Sequence, residues 1–216
     1  SDGTQAEMCG NATRCVAKYV HDKGLTDKTV FTLETLAGIK KLELTLDEEG
    51  KTKTVRVNMG APVLTPSDIP IDSKLDRFIN QPVNVAGKDW LMTGVSMGNP
   101  HAVTFVEDTD SIDIEKIGPM FENHPMFPKR VNTEFAQVID KNTIKMRVWE
   151  RGAGETLACG TGSCATLVAA ALCGYTGDEA DIILLGGKLH ISWDREENVI
   201  YMTGGAEFVF EGEITL

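Results

Sequence analysis

The sequence predicts an α+β fold in two similar lobes, each a mixed sheet wrapped around one central helix. Three observations carry this. Strand-like segments far outnumber helices, the two clearest helices each start at a Cys-Gly pair, and those two starts echo one another across 150 residues. Glu7-Met8-Cys9-Gly10-Asn11-Ala12-Thr13-Arg14-Cys15 is matched by Leu157-Ala158-Cys159-Gly160-Thr161-Gly162-Ser163-Cys164. The separation is too long for a solenoid repeat and suits a molecule built by duplication.

Residues 12–23 read as a helix with Cys15, Val16, Tyr19 and Val20 on its apolar face, and Gly24 ends it. Strands follow at 29–35, 40–46 and 52–58. Pro62, Pro66 and Pro70 then break regular structure and mark a boundary between lobes. Strands are expected at 90–95 and 102–106, and a short helix at 112–123 after Asp110-Ser111. Two more strands, 132–139 and 144–149, lead through a glycine-rich loop to a helix over 163–173. That helix is apolar nearly all round, through Ala165, Leu167, Val168, Ala169, Ala170, Ala171 and Leu172, which only a helix walled in by strands tolerates. Strands at 182–185, 189–193, 199–203 and 207–210 finish the chain.

The composition narrows the function classes. Among 216 residues, 21 are Lys or Arg and 32 are Asp or Glu, a net charge of −11. Neither nucleic acid nor an anionic membrane surface attracts such a chain. No run of eighteen apolar residues and no signal-peptide pattern is present, so a cytoplasmic location is expected, with a small molecule as the partner. The sequence leaves a homodimer open. Five cysteines without a C-x-x-C pair and four scattered histidines argue for reduced thiols and against a structural metal.

A cysteine at a helix N-terminus has its thiolate favoured by free N–H groups and the helix dipole, which draws its pKa from about 8.5 toward neutrality. Two such residues on duplicated lobes suggest two proton carriers on opposite faces of a stereocentre. A thiolate on one side and a thiol on the other are sufficient to invert it. Cys9 and Cys159 are therefore the candidate acid and base, while Cys15, Cys164 and Cys173 read as packing residues. The N–H groups at the same helix starts suit a carboxylate. Gly160-Thr161-Gly162-Ser163-Cys164-Ala165 also satisfies the dinucleotide fingerprint, which keeps an NAD(P)-dependent oxidoreductase as an alternative. Its context is poor: the preceding strand ends about ten residues early, and Asp181 begins the next strand where a ribose-binding acid should close it. On residue type alone, Asn99 and Asn132 read as turn chemistry and Glu150-Arg151 as a solvated ion pair.

The chain resembles the diaminopimelate epimerases in Asp2-Gly3, Ala6 to Asn11, Met97-Gly98-Asn99-Pro100-His101-Ala102-Val103, Val131-Asn132-Thr133-Glu134-Phe135, Trp149 to Gly162, and a closing segment over 207–214. The resemblance implies a cofactor-independent epimerase that interconverts LL- and meso-2,6-diaminopimelate, on the route to lysine and peptidoglycan. It implies Cys9 and Cys159 as the two bases, and Gly10, Asn11, Gly160 and Thr161 as the cradle of the reacting carboxylate. Asn99, Asn132, Glu150 and Arg151 would read the distant amino-acid centre, with His101 and Glu150 tuning the thiols. It places one lobe at 1–60 plus 206–216 and the other at 61–205. The first lobe then lacks its first strands, and a substrate-binding asparagine would fall ahead of Ser1. A non-catalytic fragment or amino-acid-binding relative is the alternative that this incomplete lobe raises.

Overall fold

The computed structural model describes residues 8–214, so the motif positions Asp2, Gly3, Ala6 and Glu7 lie outside the described residues. The chain divides into two compact units, Ser1–Val57 with Thr203–Leu216, and Asn58–Met202.

In the first unit, α1 (Gly10–Asp22) lies beside an antiparallel sheet in the order β1 (Val30–Thr35), β2 (Gly38–Leu46), β3 (Thr52–Gly60). Alternation in β2 and β3 turns Leu42, Leu44, Val55 and Val57 inward. The C-terminal end of α1 is tied to β3 through Asp22. Its carboxylate accepts from Lys18 Nζ at 2.9 Å, from Thr52 N at 2.9 Å and from Thr52 Oγ1 at 2.8 Å. Burial would raise this carboxyl, but those donors together hold it well below the usual carboxylate range.

The helix does not bury the face that its pattern predicts. Cys15 and Tyr19 are exposed and Val16 is partly so, while Thr13, Arg14 and Ala17 are buried. Arg14 can be buried because its donors are used: Nε to the Gly205 carbonyl at 3.1 Å, Nη1 to the Gly10 carbonyl at 3.2 Å, and Nη2 to Asn11 Oδ1 at 3.0 Å. The strand expected at 207–210 is also absent. Residues 205–214 have no regular structure, and Val209 and Phe210 stand in solvent with no ladder partner among the described residues.

The second unit follows the expected plan. Its strands run β12 (Val199–Gly204), β11 (Gly187–Asp194), β10 (Glu179–Leu184), β8 (Thr143–Glu150), β7 (Asn132–Asp140), β6 (Pro100–Phe105), β5 (Lys88–Ser96), β4 (Gln81–Val85). The sheet is mixed, since β6 with β7 and β8 with β10 are parallel. It wraps α3 (Gly160–Leu172), which packs against β5, β6, β7, β10 and β11. Gly162 through Ala170 of that helix are buried, as an all-apolar surface requires. Helix α2 (Ile114–Glu122) packs against β4, β7 and β8 over a core that includes Phe121, Phe135 and Trp149. Trp90, Phe121 and Phe135 meet edge to face with centroids 5.3 to 6.0 Å apart. The segment 61–80 contributes Ile69 and Ile71 to the same core. Sequence periodicity misses β4 and the two-residue β9 (Gly154–Glu155), both too short or too interrupted to show alternation.

Candidate active site

Strand directions gather the polar residues of the second unit at one end of its sheet. Parallel pairing sets His101 opposite Asn132 and Val103 opposite Glu134, at the starts of β6 and β7. Antiparallel pairing brings the end of β8 to the same place, with Thr133 opposite Trp149. Helix α3 starts ten residues after β8 ends, so Asn99, His101, Asn132, Glu150, Arg151 and the Cys159 helix start share one end.

Cys159 is the N-cap of α3, with an extended backbone at φ −126° and ψ 109°. Its Sγ accepts from Gly162 N at 3.3 Å and lies 3.5 Å from Thr161 Oγ1, while Ser163 Oγ donates to its carbonyl at 2.9 Å. The thiol is nearly inaccessible, and burial pushes its pKa up to about 12. The charges of Glu150 and Glu134 push the same way, and the bonds from Thr161 and Gly162 only partly offset them. The expectation that a helix start alone would draw this thiol toward neutrality is therefore corrected, because desolvation by protein and two nearby carboxylates outweighs the dipole.

The other unit repeats the local arrangement. Cys9 is the N-cap of α1 at φ −131° and ψ 108°, and Thr13 Oγ1 donates to its carbonyl at 2.9 Å, as Ser163 does for Cys159. Two things differ: Cys9 is open to solvent, and its side chain makes no cap bond. Gly10 behind it is buried and Asn11 is half-buried, its Oδ1 held by Arg14.

Around Cys159 the remaining candidates are interlocked. His101 is fully buried; its Nε2 lies 3.0 Å from Asn99 Oδ1 and its Nδ1 lies 2.6 Å from Glu134 Oε1. Asn99 Nδ2 donates to Thr161 Oγ1 at 3.3 Å. Asn132 reads as more than turn chemistry. Its Nδ2 donates to the Pro100 carbonyl at 2.7 Å, and its Oδ1 accepts from Arg151 N at 2.9 Å, so it fixes the backbone that presents Arg151. No ion pair joins Glu150 to Arg151 among the described residues. Glu150 instead accepts from Thr156 Oγ1, and the exposed Arg151 guanidinium reaches the Lys129 carbonyl.

Two buried carboxylates that tie this region together have no role assigned in the sequence reading. Glu134 is wholly buried, and a Cβ on Gly162 would lie 2.7 Å from its Oε1, so only glycine lets α3 approach this carboxylate. Glu122 accepts from Arg130 Nη1 at 2.9 Å, Trp149 Nε1 at 2.8 Å and Gly152 N at 3.0 Å, and so secures the turn after Glu150. The available signal for Glu134 was its place two residues after Asn132 in one strand, which puts both on one face.

The sheet also bears on the dinucleotide fingerprint. Asp181 pairs level with Thr143, the first residue of β8, whereas the glycines follow the last one. The acid therefore sits at the far end of the strands from the helix start, where it binds Lys188 at 2.7 Å and His190 at 2.9 Å.

Comparison with known proteins agrees with this architecture. The sequence model described as diaminopimelate epimerase matches residues 1–65 and 93–209. The diaminopimelate epimerase of Acetivibrio thermocellus is 58% identical over 216 residues, covering 100% of this chain and 77% of that protein. That of Methanococcus maripaludis is 56% identical, covering 100% of this chain and 78% of its own. A crystal structure of a probable proline racemase from Agrobacterium radiobacter superposes with a TM-score of 0.71 at 16% identity, covering 100% of this chain and 70% of that one, a likeness of fold. A duplicated Cys-Gly helix start, a shared fold and relatives of more than half identity converge: this chain is an isomerase and belongs to the diaminopimelate epimerase family.

Proposed function

We propose that the protein interconverts LL- and meso-2,6-diaminopimelate without a cofactor, Cys9 and Cys159 acting as paired acid and base. The observation that carries this reading is the repeated helix start, two cysteine N-caps with the same backbone conformation and the same hydroxyl bond to the cysteine carbonyl. Inversion needs one group to take the α-proton and another to deliver a proton to the opposite face. Burial keeps Cys159 a thiol at neutral pH, which suits it to donate in the direction where Cys9 accepts. Roles exchange in the reverse direction.

The N–H groups of the first turn of a helix lack intrahelical partners. On α3, Gly162 N–H is directed to Sγ, which leaves those of Gly160 and Thr161 for the α-carboxylate, and Gly10 and Asn11 are their counterparts on α1. Charge building on that carboxylate during deprotonation strengthens these bonds, so they favour the transition state over the bound substrate. In the distal region Glu150 would take the ammonium and Arg151 the carboxylate, with Asn99 and Asn132 each retaining one amide N–H for the ligand. The reaction would serve lysine and peptidoglycan precursors in the cytoplasm.

The protein at its natural length, given LL-diaminopimelate with no nucleotide or metal, is expected to form the meso isomer, resolved by chiral chromatography. Failure to form it while inverting another amino acid such as proline would overturn the substrate, and a requirement for NAD(P) would overturn the chemistry.

A further inference from the structure

The Asn99–Thr161 bond sets the direction of the hydrogen bonds on the Nε2 side of His101. Asn99 Nδ2 donates to Thr161 Oγ1, so the amide turns Oδ1 toward His101. An amide oxygen only accepts, hence His101 Nε2 carries a proton. On the other side of the ring Nδ1 meets Glu134 Oε1 at 2.6 Å, a contact that also needs a proton between the two atoms. Thr161 Oγ1, having accepted from Asn99, has its own hydroxyl proton left for Cys159 Sγ at 3.5 Å. The donors at His101 and Asn99 therefore point toward the Cys159 helix start, and the Thr161 hydroxyl is placed to continue them to sulfur.

We propose that Glu134 is a positioning residue for the Cys159 thiol: it fixes the proton arrangement of His101, and with it the direction of a hydrogen-bond chain through Asn99 and Thr161 to Sγ. Two independent observations support a functional rather than a packing role. Glu134 and His101 are both 0% exposed, a burial that carboxylates tolerate only with a defined partner. The second carboxylate oxygen, Oε2, has no hydrogen-bond partner among the described residues, a cost that packing alone gives no reason to retain. Without Glu134 nothing supports protons on both ring nitrogens of His101, and a neutral ring can leave Nε2 bare. Asn99 then gains by turning its amide, and the last donor to Sγ loses its orientation. Cys159 is faced by Glu150 from β8, Glu134 from β7, and Thr161 and Gly162 from its own helix, with His101 one step behind on β6. Loss of one carboxylate by simple charge would make the thiolate easier to form. Loss of the chain makes it harder, so the two effects differ in sign.

This inference rests on Cys159 being a reacting thiol of the proposed epimerase, and its test reads the thiol rather than turnover. The protein at its natural length is treated with iodoacetamide at several pH values from 7 to 9, and Cys159 alkylation is followed by peptide mass spectrometry. Glu134→Gln is expected to slow alkylation by roughly three- to tenfold. Thr161→Val, which removes the last link, should slow it at least as much, and adding Glu134→Gln to Thr161→Val should cause no further drop. A loosened site would raise the rate, so a fall cannot come from greater access. Glu134→Asp, which keeps the charge but withdraws it from Nδ1, is the second variant should Gln fail to fold, and it too should slow the reaction. An unchanged or faster rate in the Glu134 variants, or an undiminished effect in the Thr161→Val background, would overturn the proposal. Epimerase activity measured alongside separates the two readings: activity with no change in alkylation removes only the chain, and the reverse removes only the enzyme assignment.

Discussion

Replacing either Cys9 or Cys159 with alanine is expected to lower epimerisation by roughly a hundred- to ten-thousandfold, the contribution of a positioned proton-transfer group. Each substitution removes the thiol at one helix start and leaves the other in place, and a single remaining carrier cannot serve both faces of a planar intermediate. The fold should survive. Cys9 is exposed and makes no side-chain cap, while loss of Cys159 removes one weak acceptor from Gly162 N–H and little volume. A stability change of about 1 kcal/mol is expected for Cys159→Ala, small beside the kinetic effect. Steady-state kinetics with both isomers, beside a urea denaturation curve, checks both parts. Full activity in either variant would remove the two-base assignment.

Glu122→Ala should be the most destabilising of the single changes considered. Its carboxylate is 8% exposed and serves three donors from three places: Trp149 in β8, Gly152 in the turn beyond it, and Arg130 before β7. Alanine strands the Trp149 indole N–H in the core, while the half-exposed Arg130 is resolvated and contributes little. The expected loss is about 2–4 kcal/mol, read as a lower urea midpoint at unchanged slope. Nor can Trp149 shift to compensate, for it lies against Gly118, where a Cβ would come within 2.3 Å of the ring. Because the turn carries Arg151, substrate KM should rise as well. A loss under about 0.5 kcal/mol, the range of an ordinary surface change, would show that Glu122 does not secure this turn.

The contrast between these residues shows what the sequence can disclose. Helix α3 was legible because its surface is apolar on all sides, and the two helix starts because the Cys-Gly pair occurs twice. Glu134 and Glu122 were not, since an acid among mixed polar and apolar neighbours looks like a solvated position until pairing supplies its partner. For Glu134 that partner is 33 residues away on β6, and for Glu122 one of them is 27 residues away on β8. The apolar face of α1 misled for the complementary reason, that Arg14 satisfies its donors on two backbone carbonyls and the Asn11 amide oxygen and becomes a buried residue. The strand expected at 207–210 failed because alternation predicts a face, whereas a strand also requires a ladder partner. Thiol chemistry was legible in kind and not in degree: the helix start was evident, but the burial and the two carboxylates that raise Cys159 belong to the tertiary structure.

The most direct test of the two-cysteine account is solvent isotope incorporation at low conversion. In D2O, starting from either protiated isomer, the product should carry deuterium at the inverted α-carbon from the first turnovers, while recovered substrate stays protiated, because one thiol removes the proton and the other supplies a solvent-derived deuteron. Deuterium entering recovered substrate as fast as product, or product that keeps its original α-proton, would point to a single base and contradict the account.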